Sequence, residues 1–303
     1  MLQALTLSIN RFSLTLLFLA TINITCKEPN EKIIRPSFEE VWGKGFTEVR
    51  RTFPNGVSFN ELGYQLKPTW KFSILSDTSV SIYSPKMKRF ITAHIQFDHD
   101  SIYNFAWSWL RLRKLTKDSI MFQVIKVNDS KVFRNQSTIY MTFYANDYIK
   151  NTLRSDVGSL TKPNLADTAF IKRKVFDANI DTSLAFVATE QAVLKSRSKF
   201  LTIEKTTTED SGVDTDYLLP EYYITIKNSY KKFSYSFSAV VDESGRILFR
   251  RSRLFLMPEF EESTKRTIRG IIHGYLSAYM NVSPGKTLGM AHPSIIIINV
   301  RGL

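Results

Sequence analysis

The stretch Phe233-Ser-Tyr-Ser-Phe-Ser-Ala-Val-Val241, followed by Asp242-Glu-Ser-Gly245 and then Arg246-Ile-Leu-Phe-Arg-Arg-Ser-Arg-Leu-Phe-Leu-Met257, decides how this chain is read. Phe233, Tyr235, Phe237, Ala239 and Val241 alternate with other residues, the period of a strand with one buried face. Asp242 to Gly245 turns the chain, and Ile247 to Met257 runs back as the second arm of a hairpin. Pro258 suits the first position of a helix. Glu259, Glu261 and Glu262 sit where the positive helix end favours acids, and Glu261 with Lys265 and Glu262 with Arg266 are acid-before-base pairs four apart. Phe260, Ile268, Ile271, Ile272, Tyr275 and Tyr279 form the expected buried stripe. Ser283-Pro284-Gly285 ends the helical region, and Ser294 to Val300 is a last strand, apolar on both faces, that needs cover on both. The N-terminal β-body is the nearest candidate for the second cover.

Upstream, Phe200 to Thr207 and Tyr222 to Lys227 read as further strands, separated by the polar loop Glu209 to Asp214. Residues 150–185 have no clear period, and a domain junction is placed there. From residue 70 to 144 the period is two. Asp77-Thr78-Ser79-Val80, Asp100-Ser101-Ile102 and Asp118-Ser119-Ile120 each pair a turn-forming Asp with the start of a strand. That is the rhythm of an antiparallel meander, sandwich or barrel-like. A single strand from Tyr103 to Arg111 would put Tyr103, Phe105, Trp107 and Trp109 on one face, as core or as the lining of a site for an apolar ligand. Before the meander, Ser37 can cap a helix in which Val41, Trp42, Phe46 and Val49 recur at helical spacing, stopped by Pro54-Asn55-Gly56. The expected fold class is therefore α+β: an N-terminal helix, an antiparallel β-meander, then a ββαβ unit. The expected boundaries are 37–175 for the β-rich domain and 176–303 for the α+β domain.

At the start of the chain Arg11, the only charged residue among the first 25, precedes the apolar run Phe12 to Ala20, and Thr21 to Thr25 lead to Cys26. This is the plan of an export signal, too short to span a bilayer, which takes about 20 apolar residues. Cys26 is the sole cysteine, so the chain can form no internal disulfide and no Cys-based zinc site. It lies where the apolar segment gives way to Lys27-Glu28-Pro29-Asn30-Glu31-Lys32. The segment resembles bacterial lipoprotein signals, which implies cleavage before Cys26 and lipid attachment at its thiol. Residues 1–26 are then the signal with its lipidation cysteine and 27–36 a polar tether. An ordinary signal peptide and an uncleaved anchor are the competing readings. The lipoprotein resemblance implies a protein of the cell envelope, held to a membrane and facing the periplasm or the cell surface.

The C-terminal order carries a second resemblance. Hairpin with an Asp-Glu-Ser-Gly turn, acidic helix start, Pro284-Gly285-Lys286 with Gly289, then Ser294 and an Ile run resembles the TonB C-terminal-like domain of energy transducers, over about residues 230–303. It implies an envelope compartment and an envelope-protein or cell-wall partner met by strand addition. Residues 70–150 are loosely similar to lipocalin-type meanders.

The net charge of +13, from 41 bases and 28 acids, suits an anionic neighbour, although the bases are spread along the chain. Bases and aromatics interleave at Trp107 to Lys117 and Phe249 to Phe255. Export argues against nucleic acid, and a two-faced strand gives the same pattern. The sequence carries no Gly-x-Ser-x-Gly elbow, dinucleotide fingerprint or P-loop. In the cluster His94, Asp98, His99 and Asp100, alternation sends His94, Asp98 and Asp100 one way and His99 the other, the layout of a solvated strand end and not of a metal site. No catalytic residue, metal ligand or cofactor is assigned. The chain reads as a non-enzymatic, membrane-anchored envelope interaction protein. The alternative is a carrier of a small apolar ligand held by Tyr103, Phe105, Trp107 and Trp109.

Overall fold

The computed structural model describes residues 36–125, 127–128, 131–132, 139–206 and 219–303. The expected export signal with Cys26, nearly all of the expected tether and the loop Glu209 to Asp214 lie outside the described residues. The described chain is mostly β, with an antiparallel barrel followed by a mixed sheet.

Eight strands close the barrel: β1 (Gly45–Thr52), β2 (Lys71–Ser76), β3 (Ser79–Ser84), β4 (Arg89–Phe97), β5 (Ile102–Phe105), β6 (Ser108–Leu115), β7 (Ser119–Val124) and, after the small hairpin β8 (Val127–Asn128) and β9 (Lys131–Val132), β10 (Ile139–Ala145). Neighbours from β2 to β7 follow chain order, as a meander requires, and β1 closes the cylinder between β2 and β10. The turns opened by Asp77, Asp100 and Asp118 fall between β2 and β3, β4 and β5, and β6 and β7. Inside, four phenylalanines from β2, β5, β7 and β10 touch in a closed circuit. Ring centroids lie 5.1 Å apart for Phe72–Phe105, 5.2 Å for Phe105–Phe122, 6.0 Å for Phe122–Phe143 and 4.9 Å for Phe143–Phe72, the spacing of favourable aromatic pairs. Outside, Ser73, Ser81, Thr92, His94, Gln96 and Arg111 occupy alternating positions. Apolar inside and polar outside is the reverse of a barrel built for lipid.

The N-terminal helix expected from Ser37 is corrected to a strand. Only Glu39–Val41 forms a helical turn, Gly43 at φ +73° ends it, and residues 45–52 become β1. A bulge between Glu48 and Arg50 shifts the register of β1, which explains why Phe46 and Val49 read as helical. The Glu48 carboxylate is buried there. It accepts Arg51 Nε and Nη2, both at 2.7 Å, and the backbone N–H groups of Thr69 and Trp70. Ser37 is not the cap of that turn, which starts after Phe38; its Oγ accepts Glu39 N–H in a local turn, while the Asp77 carboxylate accepts Phe38 N–H at 2.7 Å and so pins the entering chain to the barrel.

Residues 150–185, read without a period, hold helices α1 (Val157–Leu160) and α2 (Leu165–Ile180). Asn164 and Asp167 form a capping box at the start of α2, and the expected boundary at 175 falls inside this helix. The Asp167 carboxylate is fully buried. It accepts Ser58 N–H at 2.7 Å, Asn164 N–H at 2.9 Å and Arg50 Nη2 at 2.8 Å. Burial pushes its pKa up, but these donors outweigh burial and hold the carboxyl below the usual range. Below it, Val57 and Phe59 of the β1–β2 connection pack with Ile171, Val175, Ala178 and Phe186.

After strand β11 (Val193–Ser196), the five-stranded sheet runs in the order β12 (Leu201–Lys205), β13 (Glu221–Ile226), β19 (Ser294–Gly302), β14 (Phe233–Val241) and β15 (Ile247–Ser252). Only β13 and β19 are parallel within it. β14, β15, helix α3 (Pro258–Ile271) and β19 make the expected ββαβ order. The chain passes from α3 through a π-turn at Ile272–Leu276, α4 (Ser277–Tyr279), β16 (Met280–Ser283), β17 (Lys286–Thr287) and β18 (Met290–Ala291). The Asp242 carboxylate is buried in the β14–β15 turn and accepts from Ser244, Arg246 N–H and Arg246 Nε. Gly245, at φ +84°, lies so close to β16 that an added Cβ would fall 2.3 Å from Val282 O.

Two expectations about this unit are corrected. Ile268, Ile271, Ile272 and Leu276 are buried against the sheet, but Phe260 is exposed because the first half of α3 runs beyond the core, and Tyr279, past the π-turn in α4, is exposed as well. The outer side of β19 at Ile295 is covered by Ala185 and Leu219 from connecting segments, together with Val240 and Leu248, and not by the barrel.

His292 joins these parts. Its ring is fully buried and stacks on Phe186 at 3.8 Å. Thr189 N–H donates to Thr287 Oγ1, Thr287 Oγ1 lies 2.9 Å from His292 Nε2, and His292 Nδ1 lies 3.0 Å from Pro293 O. The pairing with a carbonyl places the proton on Nδ1, so Nε2 accepts from Thr287. Burial pushes the imidazole pKa down, more than the Pro293 bond raises it.

Two outcomes are expected. Ile268→Ala should lower unfolding free energy by about 2–5 kcal/mol through a cavity between α3 and the sheet, read from urea denaturation. Because His292 is depressed in the folded state, the unfolded chain takes up its proton first as pH falls through its ordinary value of about 6.5. Stability should therefore decline from pH 7 to pH 5, and His292→Phe should flatten that slope in the same urea series.

Candidate functional site

Tyr103 and Phe105 point into the barrel and are fully buried. Tyr103 OH donates to Pro36 O at 2.8 Å, and its ring packs against Phe38 and Phe97. Trp107 and Trp109 do not share their face. Ala106 and Trp107, at φ +48° and +68°, form a two-residue turn that ends β5 and reverses the chain. Trp107 stands at the tip, 71% exposed, and Trp109 faces outward on β6 opposite Asn104. The expected strand from 103 to 111 is thus a hairpin, and half of the expected lining lies outside the barrel. Cys26, the expected lipidation residue, lies outside the described residues.

The His94 cluster is also divided. His94 lies on the outer face of β4 opposite Ser79. His99 Nδ1 meets Asp98 Oδ2 at 2.5 Å, with Asp100 Oδ2 at 3.9 Å from Nε2, all in the exposed β4–β5 turn. His99 therefore faces the two carboxylates from which strand alternation would have turned it away. Among the described residues no group of three or more His, Cys, Asp or Glu side chains converges on a metal position.

The sheet at the C-terminus offers the better-formed site. Alternation sends Tyr222, Ile224 and Ile226 of β13 into the core beneath α3, and sends Tyr223 and Thr225 outward. In β19 it does the same with Ile296, Ile298 and Val300 against Asn299 and Arg301. The outward set lines an open groove of about 440 Å³ with Ser234 and Ser236 of β14, Glu204 of β12 and a wall at Leu254. Its polar groups are held in place. Arg301 Nε donates to Thr225 Oγ1 at 2.8 Å, and Glu221 Oε1 accepts Asn299 Nδ2 at 2.6 Å and Arg253 Nη1 at 3.1 Å. Hydroxyls, an amide, a guanidinium and a half-exposed tyrosine ring make a surface for hydrogen bonding and stacking. Beside the groove, β15 is an edge strand that pairs only with β14 among the described residues, with Arg250 and Arg251 exposed along it. The sequence reading missed the groove by ending the last strand at Val300. Asn299 and Arg301, two apart and so on the same face, were the available signal.

No family model, no curated protein and no solved structure matches this chain at a significant level.

Proposed function

We propose that this protein is a non-enzymatic, membrane-anchored interaction protein of the cell envelope, and that its binding face is the outer groove of the C-terminal sheet with the adjoining edge β15. The contrast between the two halves carries the reading. The barrel interior is occupied by the circuit of Phe72, Phe105, Phe122 and Phe143, whereas the C-terminal sheet turns an open polar groove outward. Buried aromatics in mutual contact hold a scaffold rigid. An open sheet face and edge can take an extended partner, through main-chain pairing at β15 and side-chain contacts in the groove. The strand order β19-β14-β15 with α3 between β15 and β19 is the ββαβ order on which the proposed resemblance to the TonB C-terminal-like unit rests, and that resemblance would imply an envelope-protein or cell-wall partner.

The alternative, a carrier of a small apolar ligand, is favoured by the closed antiparallel barrel itself. It would require the four rings to part, with Tyr103 and Phe105 the members of the expected lining placed to meet a ligand.

The anchor is tested at Cys26. Cys26→Ser should move the protein from the membrane fraction to the soluble fraction, and mass spectrometry of the wild-type N-terminus should find an acylated cysteine; an unmodified Cys26 removes the anchor. The binding face is tested by co-sedimentation with lipid-free cell-wall material and by capture from detergent-solubilised envelope proteins. Tyr223→Ala with Asn299→Ala should weaken retention about tenfold, equal to about 1.4 kcal/mol, with the thermal midpoint unchanged. Equal retention of the variant and the wild type would place the binding elsewhere.

A further inference from the structure

The strand directions bring several loops to one end of the C-terminal sheet. β13 and β19 are parallel and both finish there, at Ile226 and Gly302. β12 starts there, since Leu201 pairs with Ile226, and β14 starts there, since Phe233 pairs with Gly302. β15 arrives from the other direction, and Arg253 N–H, just past its end, bonds Ser236 O near the start of β14. The segments that meet are therefore residues 197–200, 227–232 and 253–257, together with the end of the helical region at Tyr275 to Tyr279, where Arg197 Nη2 bonds the Ser277 and Ala278 carbonyls.

These segments are rich in bases. Lys199, Lys227, Lys231 and Lys232 are exposed, with Arg253 and Arg301 at the same end. Glu221 nearby is taken up by Arg253 and Asn299, and Glu261 and Glu262 of α3 are paired with Lys265 at 2.8 and 2.9 Å. Glu204 and Glu259 are the remaining acids of the adjoining elements. Among the bases stand apolar side chains with almost no cover: Tyr230 is 98% exposed and Phe255 96%, with Leu254 and Met257 about half exposed. Two cavities open between them and share Tyr275. One, of about 210 Å³, has Phe200, Lys227 and Tyr279 in its wall, and the other, of about 380 Å³, has Tyr230, Lys231 and Lys232.

We infer that this end of the C-terminal sheet docks on the surface of an anionic lipid bilayer, with the lysines and arginines against lipid phosphates and Phe255, Leu254 and Tyr230 entering the headgroup region. Two features select lipid over a soluble polyanion. An almost fully exposed Phe255 beside a half-exposed Leu254 gains by leaving water only where an apolar phase lies behind the charges. Tyrosine is suited to the interface between that phase and water. The bases supply the attraction, each base near an anionic surface adding roughly fivefold to binding. The inference goes beyond the anchored interaction protein proposed above: it rests on the strand ends, shares Leu254 and Arg301 with the rim of the groove, and uses neither Tyr223 nor Asn299.

The test uses the chain from Lys27 onward, which carries neither a lipid nor the apolar run Phe12 to Ala20, and vesicles of neutral phosphatidylcholine with or without phosphatidylglycerol. Co-sedimentation should rise at least about tenfold with the anionic lipid, and should fall as salt is raised toward 1 M, where the screening length shrinks to about 3 Å. Lys227→Glu with Lys231→Glu and Lys232→Glu should abolish the anionic preference. Phe255→Ser with Leu254→Ser should weaken binding while keeping the salt dependence. Circular dichroism and thermal midpoints confirm that each variant is folded, and Tyr223→Ala with Asn299→Ala should bind vesicles as the parent does. Equal binding to neutral and anionic vesicles, or binding untouched by the three charge reversals in a folded variant, would overturn the inference. So would a soluble polyanion such as heparin binding as tightly after the Phe255 and Leu254 changes as before, with vesicles failing to compete.

Discussion

The Asp167 carboxylate is the joint on which the arrangement of this molecule depends. Its oxygens accept the backbone N–H of Ser58 in the long β1–β2 connection, the backbone N–H of Asn164 at the start of α2, and the guanidinium of Arg50 on β1. Residues 50–58 and the start of α2, more than a hundred residues later in the chain, are thereby brought to one buried point. A buried carboxylate without partners would be expelled or protonated; with two amide donors and an arginine it stays charged and fixes the geometry around it. α2 is held in register by this contact, so that Ile171, Val175 and Ala178 meet Val57, Phe59 and Phe186. Phe186 then stacks on His292, and Phe186 O accepts Ile295 N–H of β19. The path from barrel to C-terminal sheet runs through that sequence of contacts, and the described residues form one compact unit.

The same device recurs at two other places. Glu48 is buried beside the β1 bulge with Arg51 and two backbone amides, and Asp242 is buried in the β14–β15 turn with Ser244 and Arg246. Each carboxylate replaces water by backbone N–H groups that the local chain would otherwise leave unpaired. In a chain with a formal charge of +13, acids placed inside leave the outer surface more basic still. That bias is most visible at the strand ends of the C-terminal sheet, where Lys227, Lys231 and Lys232 are exposed. The barrel, by contrast, is held by apolar packing, with its polar residues turned to solvent and its interior filled by rings from four strands.

Some of this is visible in the chain because it is local. The hairpin at 233–252, the proline and acids that open α3, the Ile run of β19 and the Asp-led turns of the meander follow from short-range periodicity and turn chemistry, and all are present. Three misreadings had physical causes. β1 looked helical because a bulge breaks its alternation. α2 was missed because its buried stripe begins with Asp167, while Leu165, Phe176 and Ile180 sit exposed on the other face, so its apolar contrast is nearly flat. Trp107 was placed in a strand because β-propensity outweighed a turn that carries no glycine. Its positive φ was set by the pairing of β5 with β6, not by its own preference.

The amino-acid sequence by itself determined the period-two body and the ββαβ unit with its buried helix stripe, since each depends on residues within one or two turns of each other, and its composition set the basic charge. Tertiary structure alone decided that the meander closes through β1, that the aromatic set fills the barrel, and that α2 and His292 lock the two halves together. It also decided which side of the final sheet is covered. Those outcomes depend on pairings across about a hundred residues, such as Arg50 with Asp167 and Phe186 with His292. No local pattern specifies them, because a carboxylate or an imidazole is placed inside only when distant backbone donors arrive to meet it.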